Sequence, residues 1–153
     1  MKGFKIINIL KVVFDNNLLE LYFNIENSNK KLSFKINISD DGETILFVKN
    51  ERWTELNDIN YEIYSVVKID RDKDELAKLL GNEIINIQYG VGKTLDTSKN
   101  VIYYIKISTN ENEFLYFNNG DEGAYSFDKI EEILANDIYG FEWSEKLPVD
   151  FYL

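Results

Sequence analysis

DRDKDELAKLLGNEIINIQYG, Asp70 to Gly90, is the stretch on which the fold reading turns. Its first half spells an amphipathic helix. Asp70 or Asp72 caps the N-terminus, because a short carboxylate accepts hydrogen bonds from the free amides of the first turn and favours the positive end of the helix dipole. Asp74 and Glu75 reinforce that end. Leu76, Leu79 and Leu80 stand at i, i+3 and i+4, one narrow apolar stripe, while Lys73 and Lys78 point elsewhere. Gly81 follows, free to take the positive φ that ends a helix. Ile84, Ile85, Ile87 and Tyr89 then supply the β-branched and aromatic residues of a strand. The stretch therefore reads as a helix that packs one face on a sheet and hands directly into it.

A second helix is read over Phe127 to Asn136, where Phe127, Ile130, Ile133 and Leu134 repeat the helical spacing and Glu131 and Glu132 face solvent. Laid over Asp128 to Phe141, the segment Asp74 to Ile87 matches at Asp74/Asp128, Leu80/Leu134, Asn82/Asn136 and Ile84/Ile138. Any two amphipathic helices that run into strands align this well, and a repeat needs more sustained self-similarity.

Upstream the chain reads as strands and turns. Phe4 to Phe14 is a strand by composition, although Ile6, Ile9, Leu10 and Val13 also trace a helical stripe. Asp15 to Asn17 is a turn, Leu18 to Ile25 a partner strand. Leu32, Phe34, Ile36 and Ile38 alternate with Ser33, Lys35 and Asn37, the pattern of a half-exposed antiparallel strand. Ser39 to Glu43, centred on Asp41 and Gly42, turns into a strand over Thr44 to Lys49. These hairpins make a meander. Asn50 to Asn60 is irregular, with Trp53 as its large aromatic, and Tyr61 to Ile69 is a further strand. Downstream, Val101 to Ser108 and Glu113 to Asn118 are strands carrying Tyr103, Tyr104, Phe114, Tyr116 and Phe117, which cannot all share one face of a sheet. The last residues are aromatic, with Tyr139, Phe141, Trp143, Phe151 and Tyr152 to be buried or offered to a partner. The fold class is α+β: one mostly antiparallel, twisted or curved sheet of about seven to nine strands, with two amphipathic helices packed on it.

Composition bounds the function. A chain of 153 residues with 44% hydrophobic content fits one domain over 1–153, and with a single proline and no Ser/Gly-rich run it shows no linker. The stretch Ile6 to Leu10, apolar except for Asn8, ends at Lys11, too short for a signal peptide or a membrane span, so the chain reads as cytoplasmic. It contains neither Cys nor His. Thiolate nucleophiles, imidazole bases, Ser-His-Asp triads and the usual zinc sites are thereby excluded within it. A net charge of −10 argues against nucleic acid and against anionic membranes, whose phosphates need Lys and Arg, and favours a basic partner.

No catalytic motif emerges. GVGKT, Gly90 to Thr94, ends like a phosphate-binding loop, but the position that needs the first glycine holds Ile87. No Asp or Glu stands two residues before a Lys, as a metal-dependent nuclease strand would place it. Asp121 and Glu122 in NNGDEG lack the oxygen-ligand spacing of a calcium loop. The acidic pairs Asp40/Asp41, Asp121/Glu122 and Glu131/Glu132 fall in turns or on a polar helix face. No catalytic residue, cofactor or metal site is assigned.

In its span Asp70 to Glu142, in particular LLGNEIINI, then EFLYFNNGDEG and the helix after it, the chain resembles the immunity proteins of bacterial polymorphic-toxin and contact-dependent inhibition systems. The resemblance implies a small cytoplasmic protein that neutralises a cognate, basic toxin domain by binding and occlusion. Surplus aromatics within an acidic surface fit that role, since large aromatics anchor interfaces and charge steers association. Asp40, Asp41, Trp53, Tyr116, Asp121 and Glu122 are the candidate partner contacts. The alternative is a small-molecule or carbohydrate-binding domain, or a hydrolase using two carboxylates beside stacking aromatics. An open acidic surface with central aromatics favours the first; a concave pocket with converging carboxylates favours the second.

Overall fold

The computed structural model describes residues 1–59, 65–94, 98–120 and 122–148. Asp15 and Asn16 take φ of 50° and 68°, the two left-handed positions of a tight hairpin turn that Asp and Asn tolerate. They join β1 (Lys5–Phe14) to β2 (Asn17–Glu26), and the meander continues through β3 (Lys31–Ile38) and β4 (Ile45–Asn50). β5 (Ser65–Lys68) pairs with the other side of β1, giving a five-stranded antiparallel sheet of order β4-β3-β2-β1-β5. A second five-stranded sheet holds β6 (Ile84–Lys93), β7 (Asn100–Thr109), β8 (Glu113–Asn118), β9 (Gly123–Ser126) and β10 (Glu142–Ser144), in the order β10-β6-β7-β8-β9. All pairings are antiparallel.

The expected single curved sheet is thus two sheets, face to face. One apolar core draws on both: Phe23, Phe34, Ile36 and Phe47 from the first, Ile87, Ile105, Phe114 and Tyr116 from the second. Phe34 stacks between Phe23 and Phe47, at 4.7 and 4.9 Å, and the edges of Phe114 and Tyr89 cross from the other sheet at 6.0 and 5.4 Å. Truncating a fully buried ring such as Phe23 to alanine should cost about 3–5 kcal/mol. One side of the sandwich is stitched by main-chain bonds, Ile84 N to Phe4 O at 2.8 Å and Gly81 N to Ile6 O at 2.7 Å.

The central helix is the main correction. Only Glu75–Leu79 is helical, as a short 3₁₀ helix, and its cap is Asp74, whose side chain accepts from Leu76 N at 2.9 Å. Asp70 closes the preceding turn instead, accepting from Asp72 N through its side chain and from Asp74 N through its carbonyl. Carboxylates spaced at every second residue satisfy nearby amides locally, and this competes with helix nucleation. The stripe survives: Leu76 and Leu79 are fully buried, and Gly81, at φ 80°, turns the chain into β6. The second helix is also shorter, α1 (Ile130–Ala135), with Phe127 outside it but packed on the core. Helical content is therefore slight and the protein is β-rich. The helix-strand overlay does not extend to structure, since Ile84 is buried in β6 while Ile138 is 83% exposed outside any strand.

Each sheet's outer face is covered. Residues 51–59 lie across the first sheet, where Asn24 exchanges side-chain bonds with the backbone of Thr54 (2.8 and 2.9 Å) and Ile59 packs on Leu10 and Val12. Over the second sheet, α1 and the residues after it cover Tyr104 and Leu115. Among the described residues no helix is long and apolar enough to cross a membrane.

Candidate functional site

A bulge creates the site. In the β6–β7 ladder Gly90 pairs with Tyr104 and Val91 with Ile102, so Tyr103 has no partner opposite it. An extra residue in a strand interrupts alternation and re-aims a side chain. Tyr103 and Tyr104 consequently both pack with the aromatic cluster on the outer face of the second sheet. Gly92 makes room for this arrangement: a Cβ there would stand 2.5 Å from both the Tyr103 ring and the Gly140 carbonyl.

The loop 137–141 is clamped over these tyrosines. The Tyr104 hydroxyl donates to Asp137 Oδ1 at 2.7 Å, and Asp137 Oδ2 accepts from Gly140 N at 2.7 Å. Gly140 holds φ 81°, which closes the turn without the strain a side chain would bring. Tyr139 stacks on Tyr103 with ring centroids 5.1 Å apart and planes 11° from parallel. With Asp137 spent on the clamp, Ile138 and Tyr139 are presented outward, 83% and 54% exposed.

Beside this loop lies a cleft of about 410 Å³. Tyr103, Tyr104 and Tyr139 form its aromatic wall, Glu43 and Gly42 come from the β3–β4 turn, Asn118 from the end of β8 and Gly120 from the turn after it. Asn118 Nδ2 donates to the Gly42 carbonyl at 2.6 Å, so turns from different sheets meet here. The field is negative. Burial, then Tyr139, Asp137 and Glu43, hold the Tyr103 phenol above its ordinary pKa; burial and the bond to Asp137 raise Tyr104 well above its own. Among the described residues lining the cleft none is cationic, and Glu43 is the single carboxylate. No group of three or more acidic side chains placed to hold a metal occurs among the described residues.

Compared with protein-family models, with curated proteins and with solved structures, the chain matches none.

The six residues singled out from sequence fare differently. Asp40 is exposed on the β3–β4 turn that supplies Glu43 and Gly42 to the cleft. Asp41, on the same turn, accepts from Ser39 Oγ and from Glu43 N, and these bonds hold its carboxyl below the usual range. It organises the turn. Glu122 belongs to the β8–β9 turn, its carbonyl accepting from Asn119 N at 2.9 Å. Asp121 lies outside the described residues. Tyr116 is a correction: it is 0% exposed in the core, on the inward face of β8, and its ring cannot reach a partner. Trp53 is half-buried, donating from Nε1 to the Ile25 carbonyl at 2.8 Å, with Lys31 Nζ 4.5 Å from the centre of its ring. It pins the covering segment to the first sheet and does not line the cleft.

Sequence reasoning left Tyr139 among the aromatics to be buried or offered to a partner, and did not single out Tyr103, Glu43 or Asn118 as contacts. The available signals were a Tyr-Tyr doublet inside a strand, which breaks alternation, and Asp137 three residues before Gly140, the spacing of an aspartate-closed turn. As for Gly90 to Lys93, they belong to β6 and pair across it with β7.

Proposed function

We propose that this chain is an acidic protein-binding module of the immunity-protein kind, which occludes a cognate basic toxin domain in the cytoplasm without catalysing a reaction. The observation that carries the reading is the display of Ile138 and Tyr139 on a loop held by both oxygens of Asp137. Large apolar side chains cost free energy when exposed to water, and a rigid loop that keeps them there loses little entropy on binding. Around them stand Glu43 and the acidic β3–β4 turn, on a molecule of net charge −10. Central aromatics within an acidic rim suit a basic protein surface, with charge setting the association rate and the anchors the dissociation rate.

The test is co-expression with the product of the adjacent upstream gene of its host, followed by pull-down at low and high salt. A stoichiometric complex with a basic, toxic protein, weakened by salt and by Ile138→Asp, is the expected result. A complex indifferent to Ile138→Asp would move the interface elsewhere, and no complex at either salt would remove the immunity reading.

The cleft's size favours a second reading, a small-molecule or carbohydrate site, because 410 Å³ lies within the range of ligand pockets. Two-carboxylate hydrolysis is less well served, since Glu43 is the one acidic side chain among the described lining residues. Saturable binding of a saccharide in that cleft would establish this reading.

A further inference from the structure

We propose that the cleft between Tyr139 and Glu43 is an arginine subsite, which receives one guanidinium side chain from the protein partner. The inference rests on the protein-binding reading and specifies what that partner must insert.

The argument begins with the molecule's own aromatic rings. Among the described residues, four rings carry a lysine ammonium over them: Trp53 under Lys31 at 4.5 Å, Trp143 under Lys106 at 4.8 Å, Phe127 under Lys78 at 5.2 Å and Tyr125 under Lys11 at 5.7 Å. A cation over a ring face is attracted by the ring quadrupole. The Tyr103–Tyr139 stack is not among these pairs, yet the charge beside it is negative, from Glu43 on the cleft wall and Asp137 within the loop. Tyr103 lies against Gly92, where an added Cβ would meet its ring, while Tyr139 remains more than half exposed. The geometry therefore offers an aromatic surface and a carboxylate, with no cation among the described residues that line the cleft.

Arginine fits better than lysine. Its planar, weakly hydrated guanidinium can lie flat on the outer tyrosine and still direct a fork of N–H donors at a carboxylate, whereas an ammonium is a compact, strongly hydrated point charge. At about 410 Å³ the cleft has room for one arginine side chain. Lys99, whose charge acts on Asp41, is the cation that bears on the rim, and it does not line the cleft.

The test uses the full chain and no partner. Nα-acetyl-arginine methylamide is titrated into the protein and followed by NMR at the Tyr139 ring and the Glu43 side chain, beside the matching lysine derivative and a panel of saccharides. Saturable shifts at both residues are expected, with arginine favoured over lysine by about fivefold to tenfold. Tyr139→Ala and Glu43→Gln should each abolish them, and Tyr139→Phe should retain them, with the rest of the spectrum unchanged in each variant. Absence of saturation at tens of millimolar, equal binding of lysine, binding that survives both substitutions, or saccharide binding in place of arginine would overturn the subsite. Those outcomes are read without the partner and leave a salt-sensitive toxin complex standing. Conversely, arginine binding with no such complex would remove the partner reading and keep the subsite.

Discussion

Asn118 Nδ2 donates to the carbonyl of Gly42 at 2.6 Å, across a sequence separation of 76, and ties the β8–β9 turn to the β3–β4 turn. One side chain thus couples the ends of two sheets at the mouth of the cleft. Its Oδ1, by contrast, is buried with no partner among the described residues. Replacing Asn118 with alanine removes the donor to Gly42 and also removes that unsatisfied oxygen. The two effects oppose each other, so the net loss should be small, about 0.5–1 kcal/mol by urea unfolding. Amide exchange over Ser39 to Glu43 should accelerate more than in the β1–β2 hairpin. Equal rates in both turns would show that the bond does not hold the cleft together.

Trp53 and Tyr139 separate stability from recognition. Trp53 is bonded to the Ile25 carbonyl and covered by Lys31, so Trp53→Ala should destabilise by about 2 kcal/mol while partner affinity of the folded fraction stays unchanged. Tyr139 is 54% exposed and closes no core, so Tyr139→Ala should leave the unfolding midpoint nearly unchanged and weaken the complex at least tenfold, as an interface anchor does. Calorimetric titration beside urea unfolding reads both. Reversed effects would return Trp53 to the interface and take Tyr139 out of it.

These assignments show where a one-dimensional pattern is informative. The meander β1 to β4 was legible because Leu32, Phe34, Ile36 and Ile38 alternate without interruption and Asp15-Asn16 and Asp41-Gly42 carry turn chemistry. Bulges hide the rest. The register shift between Ile6 and Asn8 leaves Ile6 and Ile9 both facing the core, which writes a helix-like i, i+3 spacing into a strand. A second shift, at Ile84 and Asn86, does the same for Ile84 and Ile87, and a third, at Tyr103, builds the aromatic wall of the cleft. The division into two sheets could not be read either, since which strands share a sheet depends on contacts distant in sequence. Tyr116 illustrates the same limit: an aromatic in a strand is inward or outward according to register, and β8 turns it inward.

Arg52 and Asp58 give a pH-dependent handle on the segment that covers the first sheet. Arg52 donates twice to the Asp58 carboxylate, at 2.8 and 3.1 Å, and Asp58 also accepts from Glu55 N at 2.7 Å. The guanidinium first, then that amide, lower the Asp58 pKa from 3.8 to about 2. A carboxyl depressed in the folded state contributes stability above its unfolded value and loses that contribution as pH falls through the folded one. The clamp is therefore intact at neutral pH and opens between about pH 4 and pH 2. Carbon-detected NMR should place the Asp58 midpoint near the lower end of that window, and Arg52→Gln should move it up toward 3.8. A wild-type midpoint already at the ordinary value would mean that the pair does not form in solution.

Tyr116 and Gly123 interlock in the core, and a double-mutant cycle can measure it. The Tyr116 hydroxyl is fully buried without a partner among the described residues, and a Cβ on Gly123 would collide with it and with the ring carbon that bears it. An orphaned buried hydroxyl is a cost, so Tyr116→Phe should stabilise the protein by about 1 kcal/mol. Gly123→Ala should destabilise by about 1–3 kcal/mol, because overpacking displaces a ring that has no free space to move into. In the double variant the oxygen of the clash is gone while the ring-carbon contact persists, so the glycine substitution should cost less than in the wild type, by about 1 kcal/mol. Additive changes in urea unfolding would show that the ring already moves aside from Gly123. A destabilising Tyr116→Phe would show instead that the hydroxyl holds a bound water, and that β8 and β9 are bridged through it.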